Sequence, residues 1–237
     1  MATSTLPTQL SAQLTTHLTS NSLPPAPAWL SKFLAATRPS TPLPALQRTA
    51  LFRLLASDIT TSLSATSSHV LPADIHSAQI RERLVEGPVV VQVLDIEDVG
   101  RSCWSQVEAI EAGERGETTR GREVIRVVPS EDGEDPSSTS TSVASASLSS
   151  GPHKLLLQDA RGTRVFGLEI SAVDKIGLGM DIGAKLVLRG VLVARGCLLL
   201  EPKSVKVLGG KVEAWHSAWK EGRKEVLMEK ARMGERV

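Results

Sequence analysis

The sequence predicts an α+β chain: a small helical bundle, then a five-stranded β-barrel, then one last helix. Three observations carry that reading. Apolar residues recur at helical spacing up to about residue 85, the period changes at Gly87-Pro88, and five β-rich segments follow before helical spacing returns after Gly209-Gly210. The 237 residues allow one or two small domains, and 41% hydrophobic residues plus 18 glycines is an ordinary content for a chain that buries a core.

Residues 1–26 are rich in Ser, Thr and Pro, yet Leu6, Leu10, Leu14 and Leu18 recur at every fourth position. That segment reads as either a flexible arm or a loosely packed helix. Residues 27–85 read as the helical bundle. Pro27 suits a helix start and precedes Trp29, Leu30, Phe33 and Leu34. A second helix runs from about Leu46 to Leu63, with Leu51, Leu54, Leu55 and Ile59 on one wide face. A third short helical piece is expected from Pro72 to Leu84, carrying Ile75 and Ile80.

Residues 86–210 form the barrel region. Its β segments are Val89–Ile96, Lys154–Gln158, Val165–Ile170, Lys185–Ala194, and Cys197–Leu200 with its continuation Val205–Leu208. The joins at Asp159–Gly162 and Ala194–Gly196 are hairpin-sized and carry glycine where a positive φ suits the turn. Five strands with a crossing between the third and fourth match the order of an OB-fold, although the spacing also allows another small barrel. Residues 211–237 read as a C-terminal helix with Val212, Trp215, Trp219, Val226 and Leu227 on or near one face.

An insertion at about 111–152 separates the first strand from the second. Pro129–Pro152 holds 11 Ser or Thr and no Lys or Arg, with an acidic run Glu131–Asp135, so this part is expected to be disordered. Before it lies Val124-Ile125-Arg126-Val127-Val128, an apolar patch that the barrel does not need for its own strands. It reads either as an extra hairpin on the barrel or as a loop that docks a partner.

The chemistry of catalysis finds no foothold. The histidines at 17, 69, 76, 153 and 216 show no metal-ligand spacing, and Cys103 and Cys197 cannot supply a four-ligand zinc site. Gly177–Lys185 has the wrong glycine spacing for a phosphate loop and no Ser or Thr after the lysine. The expectation is therefore a non-enzyme without metal or cofactor. Two cysteines point to a reducing compartment, residues 1–31 contain no Lys or Arg of the kind a targeting segment uses, and the apolar runs are too short to cross a bilayer.

Charge narrows the partners. The whole chain has 27 Lys and Arg against 26 Asp and Glu, so no overall field draws it to nucleic acid or a membrane. Residues 86–210 hold 14 cations against 18 anions, whereas 1–85 hold 6 against 3. A weak, salt-sensitive DNA contact is the most that such a modest local excess supports.

Several segments resemble the RecQ-mediated genome instability protein family. The most specific is GCLLLEPKSVKVLGGKVE at 196–213, and it is supported in order by VVVQVLDIEDVGRSCWSQVE (89–108), KLLLQDARGTRVFGLE (154–169) and GAKLVLRGVLVARG (183–196). The resemblance implies a helical bundle followed by an OB-fold with an insertion between its first two strands. It also implies a nuclear, non-catalytic subunit that binds topoisomerase III, works with a RecQ-family helicase and promotes double Holliday junction dissolution, the insertion engaging the topoisomerase gate. The chain resembles the short members, without a second OB-fold. The alternative is a stand-alone single-stranded-DNA-binding OB protein.

Six residues stand as candidates for partner binding. By the resemblance, Lys185 matches a lysine implicated in topoisomerase binding, against the plainer reading of a solvated strand end. Trp104, at the root of the insertion, is either an anchor for it or part of the core. Val124, Ile125, Val127 and Val128 are the apolar side chains that a partner would cover.

Overall fold

The computed structural model describes residues 5–38, 40–66, 69–120, 123–126 and 151–234. Four helices come first: α1 (Thr5–Ser20), α2 (Pro27–Ala35), α3 (Leu43–Leu55) and the short α4 (Ile59–Ser62). Strands β1 (Glu82–Val85) and β2 (Val89–Asp98) lead into α5 (Cys103–Glu114) and a separate hairpin, β3 (Glu117–Arg120) with β4 (Glu123–Arg126). The chain then adds β5 (His153–Asp159), β6 (Arg164–Glu169), β7 (Lys185–Leu188), β8 (Val191–Ala194), β9 (Cys197–Leu200) and β10 (Val205–Gly209), and ends in α6 (Glu213–Gly234).

Five strands were expected, and the main sheet has eight segments in the order β1-β8-β9-β6-β5-β2-β7-β10. The registers reconcile the two. β1 and β2 lie antiparallel to β8 and β7 as one ribbon, with Val85 opposite Val191 and Val89 opposite Leu188. β9 and β10 likewise face β8 and β7 in turn. The barrel therefore has five strands, three of them interrupted, and the parallel pairing of β6 with β9 closes the ring as an OB-fold requires. One interruption is sterically enforced: at Gly87 φ is +73°, and a Cβ would stand 2.3 Å from the carbonyl oxygen of Leu188. Only glycine fits there.

Side-chain alternation builds two cores from one strand. Val89, Val91 and Val93 point into the barrel with Leu155, Leu157, Leu186 and Leu188. Val90 and its register partner Val187 point outward, where they pack against Leu14, Leu18, Leu30, Phe33, Leu46, Leu54 and Ile59 of the helices. The unbroken apolar run in β2 thus reflects a strand covered on both faces. α1 belongs to this packing, since Leu14 and Leu18 are wholly buried and Leu10 packs against the same core.

Pro72 to Leu84 is not the helix expected from its apolar spacing. Turns occupy 73–79, Leu71 and Ile75 enter the barrel core, and Glu82–Val85 pairs with β8. The intervals between Ile75, Ile80 and Leu84 are five and four residues, a poor helical stripe, and the open backbone of β8 offers Glu82–Val85 a ladder instead.

The helices are fastened to the barrel by one buried cation. Lys185 is 0% exposed, and its Nζ donates to the carbonyls of Leu55 (2.8 Å), Ser57 (2.6 Å) and Gly183 (2.8 Å). Leu55 ends α3, so the ammonium meets unpaired carbonyls at the negative end of a helix. Gly210 seals the joint: its φ is +98°, and a Cβ would lie 2.5 Å from the Leu55 carbonyl oxygen. Beside them, Gln92 Oε1 accepts from the backbone N–H of Ile59 (2.8 Å). Burial pulls the Lys185 ammonium down to about 8, with the Asp58 carboxylate opposing that shift.

Lys185→Ala is expected to destabilise the fold by about 2 to 4 kcal/mol in a urea titration, because three carbonyls at the joint lose a charged donor and a cavity opens where the wholly buried side chain stood. The unfolded chain keeps the proton up to the ordinary value of 10.5 while the folded chain releases it near 8. Between those values this group therefore adds stability as pH rises. A Lys185→Met variant should lack that gain.

Candidate functional site

The segment between β2 and β5 leaves and rejoins the barrel at neighbouring points, since Asp98 faces His153 in the register. Its root is built from buried polar groups. Asp98 Oδ1 accepts from Gly100 N–H (2.9 Å), while Gln106 Nε2 donates to the carbonyls of Asp98 (2.9 Å) and Arg101 (3.1 Å). On the return side, Glu169 accepts from His153 Nδ1 (2.6 Å), from His153 N–H (3.1 Å) and from Val173 N–H (2.8 Å). Asp98 Oδ2 is buried without a hydrogen-bond partner among the described residues, but the remaining bonds tie both ends of the insertion to the barrel and fix the direction in which it departs.

The Ser102 hydroxyl caps α5 by accepting from Ser105 N–H at 3.1 Å. One face of α5 buries Gln106 and Val107, and α6 packs across it. Arg223 of α6 is the tie. It donates to the Ile96 carbonyl (3.0 Å) and to Gln106 Oε1 (3.2 Å), and its guanidinium lies 4.5 Å from the Trp219 ring centre. Burial lowers its pKa, opposed by Asp95, Glu97 and Asp98. Trp219 Nε1 donates to Asp95 Oδ1 (2.7 Å), and Lys224 bridges Glu111 (3.2 Å) and Glu114 (2.9 Å) of α5. Glu97 receives Lys154 (2.9 Å) and Lys230; burial would raise its pKa, but those two hydrogen bonds hold it below the ordinary carboxylate value.

Among the described residues, the opposite face of α5 is exposed. Trp104 is 57% exposed and Val99, just before the helix, 46%. Trp104 is therefore a surface residue, and the alternative of core packing does not hold. Val124 and Ile125 lie in β4, opposite Thr119 and Thr118 of β3, in a hairpin separate from the barrel sheet. Val127, Val128 and the Ser/Thr-rich stretch 129–150 lie outside the described residues. Lys185 is not part of this surface. The expectation that it touches a partner is corrected by its enclosure between α3 and the barrel, which leaves its ammonium no open side.

Sequence reasoning missed α5 and the Arg223 tie. A signal for α5 was present: Ser102 as a cap, followed by Trp104, Val107 and Ile110 at three-residue intervals. The stacking of Arg223 on Trp219 is local, but its hydrogen-bond partners lie more than 100 positions away. Among the described residues, no group of three or more His, Cys, Asp or Glu is placed to hold a metal ion, and no helix is long and apolar enough to cross a membrane.

This architecture, a helical bundle seated on a barrel with a rooted insertion, matches known family models over most of the chain. Residues 71–223 match the model described as RMI1, N-terminal OB-fold domain, and residues 18–62 match RMI1, N-terminal helical domain. The chain belongs to the RMI1 family. The OB-fold match begins where Leu71 and Ile75 enter the barrel core and ends at Arg223. The chain is similar to RecQ-mediated genome instability protein 1 of Schizosaccharomyces pombe, with 30% identity over 211 residues, 85% of this chain and 88% of that relative. The protein of the same name from Xenopus laevis is 44% identical over 62 residues, 25% of this chain and 11% of its own. That of Mus musculus is 27% identical over 163 residues, 65% of this chain and 22% of its own.

In this RMI1-family chain, Arg223→Ala should cost about 1 to 3 kcal/mol, since a buried carbonyl and a buried amide oxygen lose a charged donor. Amide hydrogen exchange should speed up in both α5 and α6, because one guanidinium holds both.

Proposed function

We propose that this chain is a non-catalytic subunit that binds topoisomerase III and works with a RecQ-family helicase in the nucleus, promoting decatenation and double Holliday junction dissolution. The observation that supports this reading is the face of α5 that stands exposed among the described residues. α5, held by Arg223 through Gln106 and by Lys224 through Glu111, presents an exposed Trp104, and the exposed Val99 precedes the helix at the base of the insertion; neither side chain serves the chain's own cores. Large aromatic side chains on a rigid support are the usual energetic anchors of protein interfaces. The RMI1 family match and the relatives' shared name, which invokes RecQ, support the same reading.

Within this proposal the insertion reaches the enzyme, with Val124 and Ile125 of its hairpin and the neighbouring Val127 and Val128 as further contacts. Lys185 contributes only by seating the helical bundle. The subunit acts by placing a shaped surface against its partner, so no proton or electron transfer is required of its residues.

The test is a pull-down and titration of the full chain with purified topoisomerase III. Stable association is expected, and its absence would refute the proposal. Trp104→Ala combined with Val99→Ser should weaken the complex roughly a hundredfold, the scale of an interface anchor. The melting temperature of the free variant should stay unchanged because both side chains are exposed. Stimulation of decatenation should fall in parallel with affinity.

A further inference from the structure

The outer surface of the barrel divides into sectors. The helical bundle covers Val90 and Val187, and α6 ties onto Asp95, Ile96 and Glu97. On a third sector, formed by β1, β8, β9 and β6, the outward side chains stay exposed or half-buried among the described residues. They are apolar, where a sheet face turned to water is ordinarily polar.

The registers align these side chains in two rows. Leu84 faces Leu192, Leu192 faces Leu199, and Leu199 faces Leu168. In the next row Ala194 faces Cys197, and Cys197 faces Phe166. Leu84 is 57% exposed, Phe166 50% and Leu192 37%, and none of the row members belongs to either core. Four strands about 4.8 Å apart, over about five residues at about 3.3 Å each, give a face of roughly 300 Å² in projection. That is the size at which an apolar patch begins to mark an interface.

The charges at its two edges are opposite. Glu82 faces Ala194 at the β1 edge, and Arg164 lies two residues before Phe166 on the outward side of β6. Among the described residues neither side chain makes a hydrogen bond or an ion pair, whereas Lys154, Glu97, Lys203 and Glu201 nearby are all paired. The cavity beside β1 and β8, lined by Ile80, Arg83 and Val193, holds only about 10 Å³. It is too small for the anchoring side chain of a partner helix, so a second flat face fits this surface better than a helix in a groove.

We propose that this face joins two copies of the chain as a reversible dimer. A two-fold axis lying in the face, along the strands between β8 and β9, lays the β1 edge of each copy on the β6 edge of the other. Leu192 then meets Leu199, and Glu82 meets Arg164 on both sides of the axis. Two such faces with their rims bury about 1,000 Å² in total, the low end of specific interfaces, which suits weak self-association and not an obligate dimer. The contact uses neither Trp104 nor the β3–β4 hairpin and does not rest on the topoisomerase reading.

The test is sedimentation equilibrium of the full chain alone, across a concentration series reaching the high micromolar range. The average mass is expected to climb from 25.3 kDa toward twice that value. Leu84→Lys with Leu192→Lys should weaken association at least roughly tenfold, because like charges then meet inside the patch. Its melting temperature at low concentration should match the wild type, since both positions are exposed in the single copy. Glu82→Arg alone and Arg164→Glu alone should each weaken association about threefold, and the two together should restore it.

A mass fixed at 25.3 kDa throughout would overturn the proposal. Self-association that survives the paired lysines, or charge exchanges that fail to compensate each other, would do the same. Loss of topoisomerase III binding by the double-lysine variant, measured where the wild type is monomeric, would assign the face to that enzyme and count against a second copy.

Discussion

The joint between the helical bundle and the barrel turns on the Lys185 ammonium. A helical bundle and a barrel with separate cores meet over a modest apolar seam centred on Val90 and Val187, and such a seam alone would allow the two to slide. Three carbonyl acceptors around one cation remove that freedom, because hydrogen bonds are directional where apolar contact is not. Two of the acceptors come from the end of α3 and one from the turn before β7. The same cation therefore finishes a helix and fixes the register between two domains.

A second polar tie does the corresponding work on the far side of the barrel. Arg223 draws α6, the end of β2 and α5 together, so the insertion starts from a braced helix. The two ties share a design: a long cationic side chain passes through apolar surroundings to reach backbone or amide oxygens that would otherwise be unmatched. Burial lowers the pKa of both groups, which is the cost of using charge inside a fold.

The architecture was legible wherever residue pattern alone decides it. The helical stripe around Phe33, the alternating β segments after residue 153 and the hairpin glycines each state their element locally. Leu71–Val85 was not legible, because its apolar residues are spaced for neither period and its conformation depends on the pairing partner β8. Lys185 misled for a related reason. A lysine at the start of a strand looks solvated, and its burial follows from an acceptor set 128 and 130 positions distant. At the candidate site, Trp104 stood out by its type alone, but only the folded arrangement of α5 against α6 shows which way it faces.

The facing positions of Asp98 and His153 have an entropic consequence for the insertion they bracket. The barrel ladder has already brought the two ends together, so lengthening or shortening the intervening chain changes only a closure term that grows logarithmically, about 0.6 kcal/mol for each doubling. The barrel is thus nearly indifferent to how many residues lie between those ends. The length of this segment can drift between relatives under selection for what it meets, with little penalty in folding.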